Sequence, residues 1–320
     1  MGEWHPDVLG DGFEQQTLPL GEDAEGEVVA TVVRARPHPG ARLFGELRDT
    51  DVLYVHGWSD YFFQTRLARF FSDRGARFHA LDLRKYGRSL RPGQSPGYVA
   101  SLDVYDADIQ AALDAMGTKR EGRRLLLLGH STGGLTLTLW AARHPGVADG
   151  LVLNSPWLEL QLGPLGRQAL APLVNARARV DPLGTHPVVD LGFYTRAQRD
   201  VGALPESPEG WRPSQGFPTH PGWLAAIIAG HARVASGVDV GCPALVLLSA
   251  RSTVAPRWSD AMRASDSVLV VDDIARAATR IARTVTITRI DGALHDVFLS
   301  APPARDAAYA ALEDGLRALR

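Results

Sequence analysis

Leu125-Leu126-Leu127-Leu128 runs without a polar interruption into Gly129-His130-Ser131-Thr132-Gly133-Gly134, and a helix-like stretch follows to Arg143. A strand that is apolar at every position must be covered on both faces, as in a parallel sheet layered between helices. The same order, short apolar run, turn and helical pattern, recurs along the chain. Strand-like runs occupy Glu27 to Ala35, Asp51 to Val55, Arg77 to Leu83, Arg124 to Gly129 and Gly150 to Leu153. Helical spacing is read over Asp60 to Arg74 (Phe63, Leu67, Phe70, Phe71), Leu102 to Met116 and Gly133 to Arg143. Repeated β-turn-α units imply an α/β fold with a mostly parallel central sheet flanked by helices.

The rhythm breaks at Ser155. To about Gly241 no strand-like run occurs, and Pro156, Pro164, Pro172, Pro182, Pro187, Pro205, Pro208, Pro213, Pro218 and Pro221 punctuate the segment. Proline at that density favours short helices joined by loops. The strand pattern resumes at Pro243 to Ser249 and Val285 to Ile290, and a final helix is read over Pro303 to Leu319. Residues 155–241 are therefore expected to be an inserted helical cap, or lid, on a core formed by 1–154 and 242–320.

Of 320 residues, 45% are hydrophobic and 22% charged, with a formal net charge of -2. That balance suits a soluble globular chain and offers no basic stripe for nucleic acid. Lys85 and Lys119 are the only lysines, and Cys242, alone in an apolar run, reads as a buried small hydrophobe rather than a disulfide partner. No CxxC or HExxH spacing occurs, so neither metal nor cofactor is expected. The acidic start, MGEWHPDVLGDGFEQQ, lacks the apolar core of a signal peptide, and no run reaches the ~18 apolar residues of a membrane span. Cytoplasmic residence is the resulting expectation.

Chemistry concentrates at Ser131. With 32 glycines, a bare G-x-S-x-G would turn up by chance in roughly one such chain in six. Its place between a buried strand and a helix is what gives it meaning. A sharp strand-to-helix turn lifts the serine hydroxyl above the sheet, and small residues must flank it. The helix N-terminus then favours negative charge beside the serine, with the Thr132 N–H as one oxyanion donor. The second donor is expected from the turn after the strand Asp51 to Val55, where His56-Gly57-Trp58 places the Trp58 N–H.

Ten histidines are present. On such a sheet the order along the chain is nucleophile, acid, base. His295, between the last strand and the last helix, occupies the base position, with Gly292 allowing the loop to turn. His56 and His130 flank the site and are candidate substrate-lining residues, though a purely structural role fits both. His186, His220 and His231 fall in the cap. The acid is less constrained. Ser249-Ala250-Arg251-Ser252 holds no carboxylate where one is usual, leaving Asp260, Asp266, Asp272 and Asp273. Asp272 and Asp273 stand at a helix start and have a capping role available. Asp266 has none and is the preferred orienting carboxylate, with Asp272 the alternative.

Together these residues resemble the α/β-hydrolase superfamily, and within it the monoacylglycerol lipase, lysophospholipase and serine aminopeptidase group. The resemblance is carried by His56-Gly57, by Asp82-Leu83-Arg84-Lys85-Tyr86-Gly87-Arg88-Ser89 (similar to that group's D-x-R-G-x-G-x-S), by Gly129 to Gly133, by Asp266-Ser267-Val268-Leu269, and by Gly292 to His295. Lys85 stands where the group usually has glycine. The resemblance spans about residues 27–155 and 242–320, and not the cap. It implies hydrolysis of a carboxylic ester through an acyl-enzyme on Ser131, with a small-molecule or lipid-like substrate. Dehalogenases and epoxide hydrolases share the core but use an aspartate nucleophile, which Ser131 argues against. Acyl transfer to another acceptor, carbon–carbon bond hydrolysis, and ligand binding without catalysis remain open. Trp157, Leu158, Leu160, Leu162, Trp223, Ile227 and Ile228 are expected either to wall an apolar substrate pocket or to form the cap's own core.

Overall fold

The computed structural model describes residues 2–36, 39–117, 122–185 and 191–319. Lys119, His186 and Pro187 lie outside them. The chain opens with β1 (His5–Pro6), β2 (Phe13–Asp23), β3 (Gly26–Ala35), α1 (Pro39–Phe44), β4 (Thr50–Val55), α2 (Thr65–Ser72) and β5 (Arg77–Asp82). It continues through α3 (Tyr105–Met116), β6 (Arg124–His130), α4 (Thr132–Arg143) and β7 (Gly150–Asn154). Then come α5 (Gly163–Val180), α6 (Phe193–Asp200) and α7 (Pro221–Ala235), with no strand between β7 and β8 (Ala244–Ser249) among the described residues. α8 (Val271–Ala278), β9 (Val285–Ile290) and α9 (Pro302–Ala318) complete the order. The strands form one sheet in the order β1-β2-β3-β5-β4-β6-β7-β8-β9. From β5 to β9 every neighbouring pair is parallel, while β1, β2 and β3 join antiparallel.

The leucine run explains itself once both faces are seen. Leu125 and Leu127 belong to one core cluster, with Leu53 and Val55 of β4 and Val246 and Leu248 of β8. Leu126 and Leu128 belong to the other, with Val52, Tyr54, Leu245 and Leu247. The first cluster packs against α3 and α4 through Ile109, Leu113, Leu135 and Leu139. The second packs against α2 and α9 through Leu67, Phe71, Leu312 and Leu316. Each such side chain, wholly withdrawn from water, contributes about 1.5–3 kcal/mol. Cys242 is only half-buried, against the first cluster, and burial pushes its thiol up to about 11.

Two stretches depart from the sequence reading. The helix expected over Asp60 to Arg74 is confined to Thr65–Ser72. The preceding residues spend their polar groups on tertiary contacts: the Phe62 N–H donates to Asp82 Oδ1 at 2.8 Å and Gln64 Nε2 to Asp296 Oδ2 at 2.6 Å. β1 and β2 lie before the first strand read from the sequence, and Pro19 and Gly21 in β2 are residues that weaken a strand pattern. β1 forms the edge of the sheet, and the pairing of β2 with β3 slips in register between Pro19 and Glu22. Lys85 also finds its reason here. It sits at φ 62, a conformation glycine adopts freely, and its buried Nζ pairs with Asp23 at 2.6 Å and Glu25 at 2.5 Å. Those pairs clip the β2–β3 hairpin to the loop after β5.

Burial of two histidines makes stability depend on pH. His79 on β5 and His231 on α7 are held neutral by desolvation, lowered from 6.5 to about 4 and about 3 respectively. The unfolded chain therefore binds more protons below pH 6.5, so their stabilisation is present above that pH and is lost as pH falls toward 4 and then 3. At about 1.4 kcal/mol per pKa unit, each accounts for a few kcal/mol. Differential scanning calorimetry is expected to show Tm falling between pH 6.5 and 4, with a shallower fall in His79→Gln. An identical slope in the variant would contradict the assignment.

Candidate active site

Ser131 joins β6 to α4 with φ 52 and ψ -117, a strained geometry for a residue with a side chain. What holds it is packing of backbone against backbone. A Cβ on Gly133 would lie 2.3 Å from the His56 carbonyl oxygen and 2.4 Å from that of Val55; one on Gly129 would lie 2.7 Å from Gly134 Cα. Gly57 approaches from the β4 side, where a Cβ would meet Ser131 Cβ at 3.0 Å. Ser131 N donates to Asn154 O at 3.1 Å, and Ser131 O accepts from Gly134, Leu135 and Trp157 N–H groups at 3.0, 3.2 and 2.9 Å. Thr132 opens α4, where N–H groups have no partner within the helix. The Trp58 N–H, after β4, is met by no backbone carbonyl among the described residues.

His295 follows β9 in a loop that turns at Gly292, φ 72. The loop is pinned by Ser249 Oγ donating to Ala293 O at 2.7 Å and by Leu294 N donating to Ser300 Oγ at 2.9 Å. The His295 ring is 4.9 Å from that of His130, which brings it beside the turn carrying Ser131. Its Nδ1 donates to Asp266 Oδ2 at 2.9 Å, so the proton sits on Nδ1 and Nε2 is left as the acceptor. Asp266 is fully buried, and its Oδ1 accepts from the Val268 and Leu269 N–H groups, both at 2.8 Å. The lengthened loop after β8 places it by a bridge between Ser252 and Asp266. Asp272 stands in the first turn of α8, its side chain 70% exposed and paired with Arg289 at 2.6 Å. Asp273 pairs with Arg276, and Asp260 is exposed.

The flanking residues sort by their partners. His56 spends both ring nitrogens on backbone: Nδ1 donates to Gly57 O at 2.7 Å and Nε2 accepts from Leu83 N at 3.1 Å. Substrate contact through those nitrogens, one sequence expectation, is thereby closed off, and the ring instead ties β4's end to that of β5. His130 donates from Nδ1 to Asn154 O at 3.1 Å, and burial holds it toward the neutral form. Trp157 lies next to Ser131 through its own N–H, and Trp223, 2% exposed, lies against Trp58 with ring centroids 3.7 Å apart and planes tilted by 36°. Leu158 and Ile227 are packed into the main core, whereas Leu162 is 66% exposed.

Three neighbours escaped the sequence reading. Asp296, fully buried, accepts from Asn154 Nδ2 at 2.7 Å and Gln64 Nε2 at 2.6 Å, locking the His295 loop to β7. Tyr194 of α6 stands edge-on to the His295 ring at 5.3 Å, and its hydroxyl accepts from the Asp296 N–H at 3.1 Å. The only signal for Asp296 and Asn154 was position, beside His295 and at the end of a strand; Tyr194 had none.

A buried strand-to-helix turn carrying Ser131, a histidine–aspartate pair and a mostly parallel sheet of this order define an α/β-hydrolase. The family model "serine aminopeptidase, S33" matches residues 48–300, and the chain belongs to that family. Curated relatives include lysophospholipase L2 of Escherichia coli (strain K12), 26% identical over 52% of this chain and 53% of its own. Another is (lyso)-N-acylphosphatidylethanolamine lipase of Bos taurus, 30% identical over 35% of this chain and 32% of its own. A third is epoxide hydrolase 4 of Mus musculus, 35% identical over 35% and 30%. The chain thus spans between about a third and a half of these relatives. Among solved structures, Paleococcus ferrophilus monoacylglycerol lipase has a TM-score of 0.62 at 18% identity, covering 87% of this chain and 97% of that one. Saccharomyces cerevisiae monoglyceride lipase has a TM-score of 0.64 at 14% identity, covering 96% and 97%. The two solved structures share the fold of this chain.

Proposed function

We propose that the protein is a serine hydrolase that cleaves carboxylic esters through an acyl-enzyme on Ser131. The observation that carries this is the Asp266–His295 pair, 2.9 Å between Oδ2 and Nδ1, beside a serine at φ 52. His295 Nε2 takes the Ser131 proton as Oγ attacks the ester carbonyl. The oxyanion is met by the Trp58 and Thr132 N–H groups, and loss of one such donor typically costs about 3–4 kcal/mol of transition-state stabilisation. His295 then gives its proton to the departing alkoxide. Water, deprotonated by the same imidazole, releases the acid. Asp266 keeps the imidazole oriented and stabilises its charged form without taking the proton.

Residues 155–241 act as the cap over the core of 1–154 and 242–320. Ser131 is 7% and His295 2% exposed, with Trp157 and Tyr194 among the residues against them, which supports that reading. The substrate is a lipid-like ester with an apolar acyl group. Its support is the aromatic cluster in which Trp157, bonded to Ser131 O, meets Trp223, which meets Trp58, which meets Phe217, together with the names of the lipase and lysophospholipase relatives. A series of p-nitrophenyl esters from acetate to palmitate tests both statements. Turnover rising with chain length supports the substrate class; no turnover of any member would end the esterase reading.

A further inference from the structure

Arg212 lies between α6 and α7, yet its side chain is only 6% exposed. Its Nε donates to Asp60 Oδ1 at 3.0 Å, and Nη2 donates to Gln198 Oε1 at 2.6 Å. Both partners lead to the active site. Asp60, itself buried, is two residues beyond Trp58, the candidate oxyanion donor. Gln198 Nε2 donates to the Tyr194 hydroxyl at 2.9 Å, and the Tyr194 ring packs edge-on to His295. The guanidinium is thus held between the oxyanion loop and the cap ring that covers the candidate base. Its third nitrogen, Nη1, is buried and has no hydrogen-bond partner among the described residues. The guanidinium also lies over the Phe63 ring, with Cζ 5.8 Å from its centroid.

A buried guanidinium N–H without an acceptor is costly, and a fold with Asp60 and Gln198 already in place could have spared it. Beside the candidate active site, a bound substrate is one source of that acceptor. We propose that Arg212 Nη1 is a specificity determinant, donating to an uncharged oxygen of the substrate, an ether, carbonyl or hydroxyl a few bonds from the scissile ester. This rests on the ester-hydrolase reading and deepens it. The acceptor is uncharged because the neighbourhood is already rich in carboxylates. Asp60, Asp266 and Asp296 are all buried, Asp60 is paired with Arg212, and a further anion would have to enter beside them. An apolar pocket with one such donor discriminates strongly, since a substrate lacking the acceptor leaves the buried donor unpaired.

Isosteric ester pairs that exchange one methylene for oxygen test the proposal. On the acyl side these are p-nitrophenyl pentanoate and p-nitrophenyl ethoxyacetate; on the alcohol side, pentyl butanoate and 2-ethoxyethyl butanoate. The ratio of kcat/KM within each pair is compared between the wild type, Arg212→Met and Arg212→Lys. Intrinsic reactivity cancels in that comparison, and a ratio within one preparation is insensitive to how much of a variant folds. Arg212→Lys keeps a cation beside Asp60 and loses the fork. The expected result is that the oxygen-containing member loses about tenfold relative to its partner in both variants, in one of the two pairs, which also says which side of the ester Arg212 reads. Unchanged ratios in both pairs would overturn it. If the wild type turned over no ester and resisted fluorophosphonate labelling, the hydrolase reading would fail separately. The same comparison would then be read as thermal shift with ethoxyacetone and 2-hexanone, and equal shifts in wild type and variants would overturn the role of Arg212.

Discussion

Ser131→Ala is expected to abolish labelling by a fluorophosphonate probe and to lower kcat/KM for ester hydrolysis by roughly 10⁵-fold or more. No other hydroxyl can take over, because the nucleophile's position is set by the turn and not by its side chain. The turn sits at φ 52 over glycines whose absent Cβ atoms would strike backbone at 2.3 to 2.8 Å. Alanine keeps the Cβ and the same strained backbone, so Tm should stay within a few degrees of the wild type. Retained labelling in a folded Ser131→Ala protein would remove Ser131 from the mechanism.

Asp266→Asn is expected to lower kcat by about 10³–10⁴-fold while leaving KM within a few-fold. Asparagine still satisfies the Val268 and Leu269 N–H groups through its carbonyl. It then turns an NH₂ group toward His295 Nδ1, which shifts the imidazole proton to Nε2, where the base must be empty. Asp272→Asn should change kcat less than twofold, because that carboxylate is 70% exposed and its partner is Arg289. Steady-state kinetics of the two variants on one ester decides between them. Activity surviving in Asp266→Asn and collapsing in Asp272→Asn would reverse the assignment.

The difference in how readily these residues could be read along the chain has a physical origin. Leu125 to Leu128 announce a strand covered on both faces, and the structure sends alternate leucines to the two clusters. Gly129, Gly133 and Gly57 announce close approaches of backbone. Such features depend on neighbours a few residues away, or on a rule of chain order, as with His295 after the last strand. By contrast the helix expected from Asp60 onward loses its first turn, because Phe62 N–H and Gln64 find better partners at Asp82 and Asp296. β1 and β2 lie before the first strand read from the sequence, and Pro19 and Gly21 weaken the strand pattern of β2.

The acid shows the boundary most clearly. Ser249 to Ser252 carries no carboxylate, and four aspartates follow at separations that local pattern ranks only by their freedom from helix capping. The preference for Asp266 follows from the chain alone; its 2.9 Å contact with His295 depends on the course of the loop after β8 and the Ser252–Asp266 bridge. Tyr194 and Arg212 lie further beyond the boundary. They are ordinary residues of a proline-rich insertion until α6 and the following loop fold back over the sheet. The alternation of strands and helices, the glycine-flanked turn at Ser131 and the place of His295 after the last strand are local or directional properties that a chain carries in its residue spacing. Which residues of 155–241 meet the site is a matter of long-range packing, where contacts 100 residues or more apart, such as Asp60–Arg212 and Tyr194–Asp296, decide the outcome.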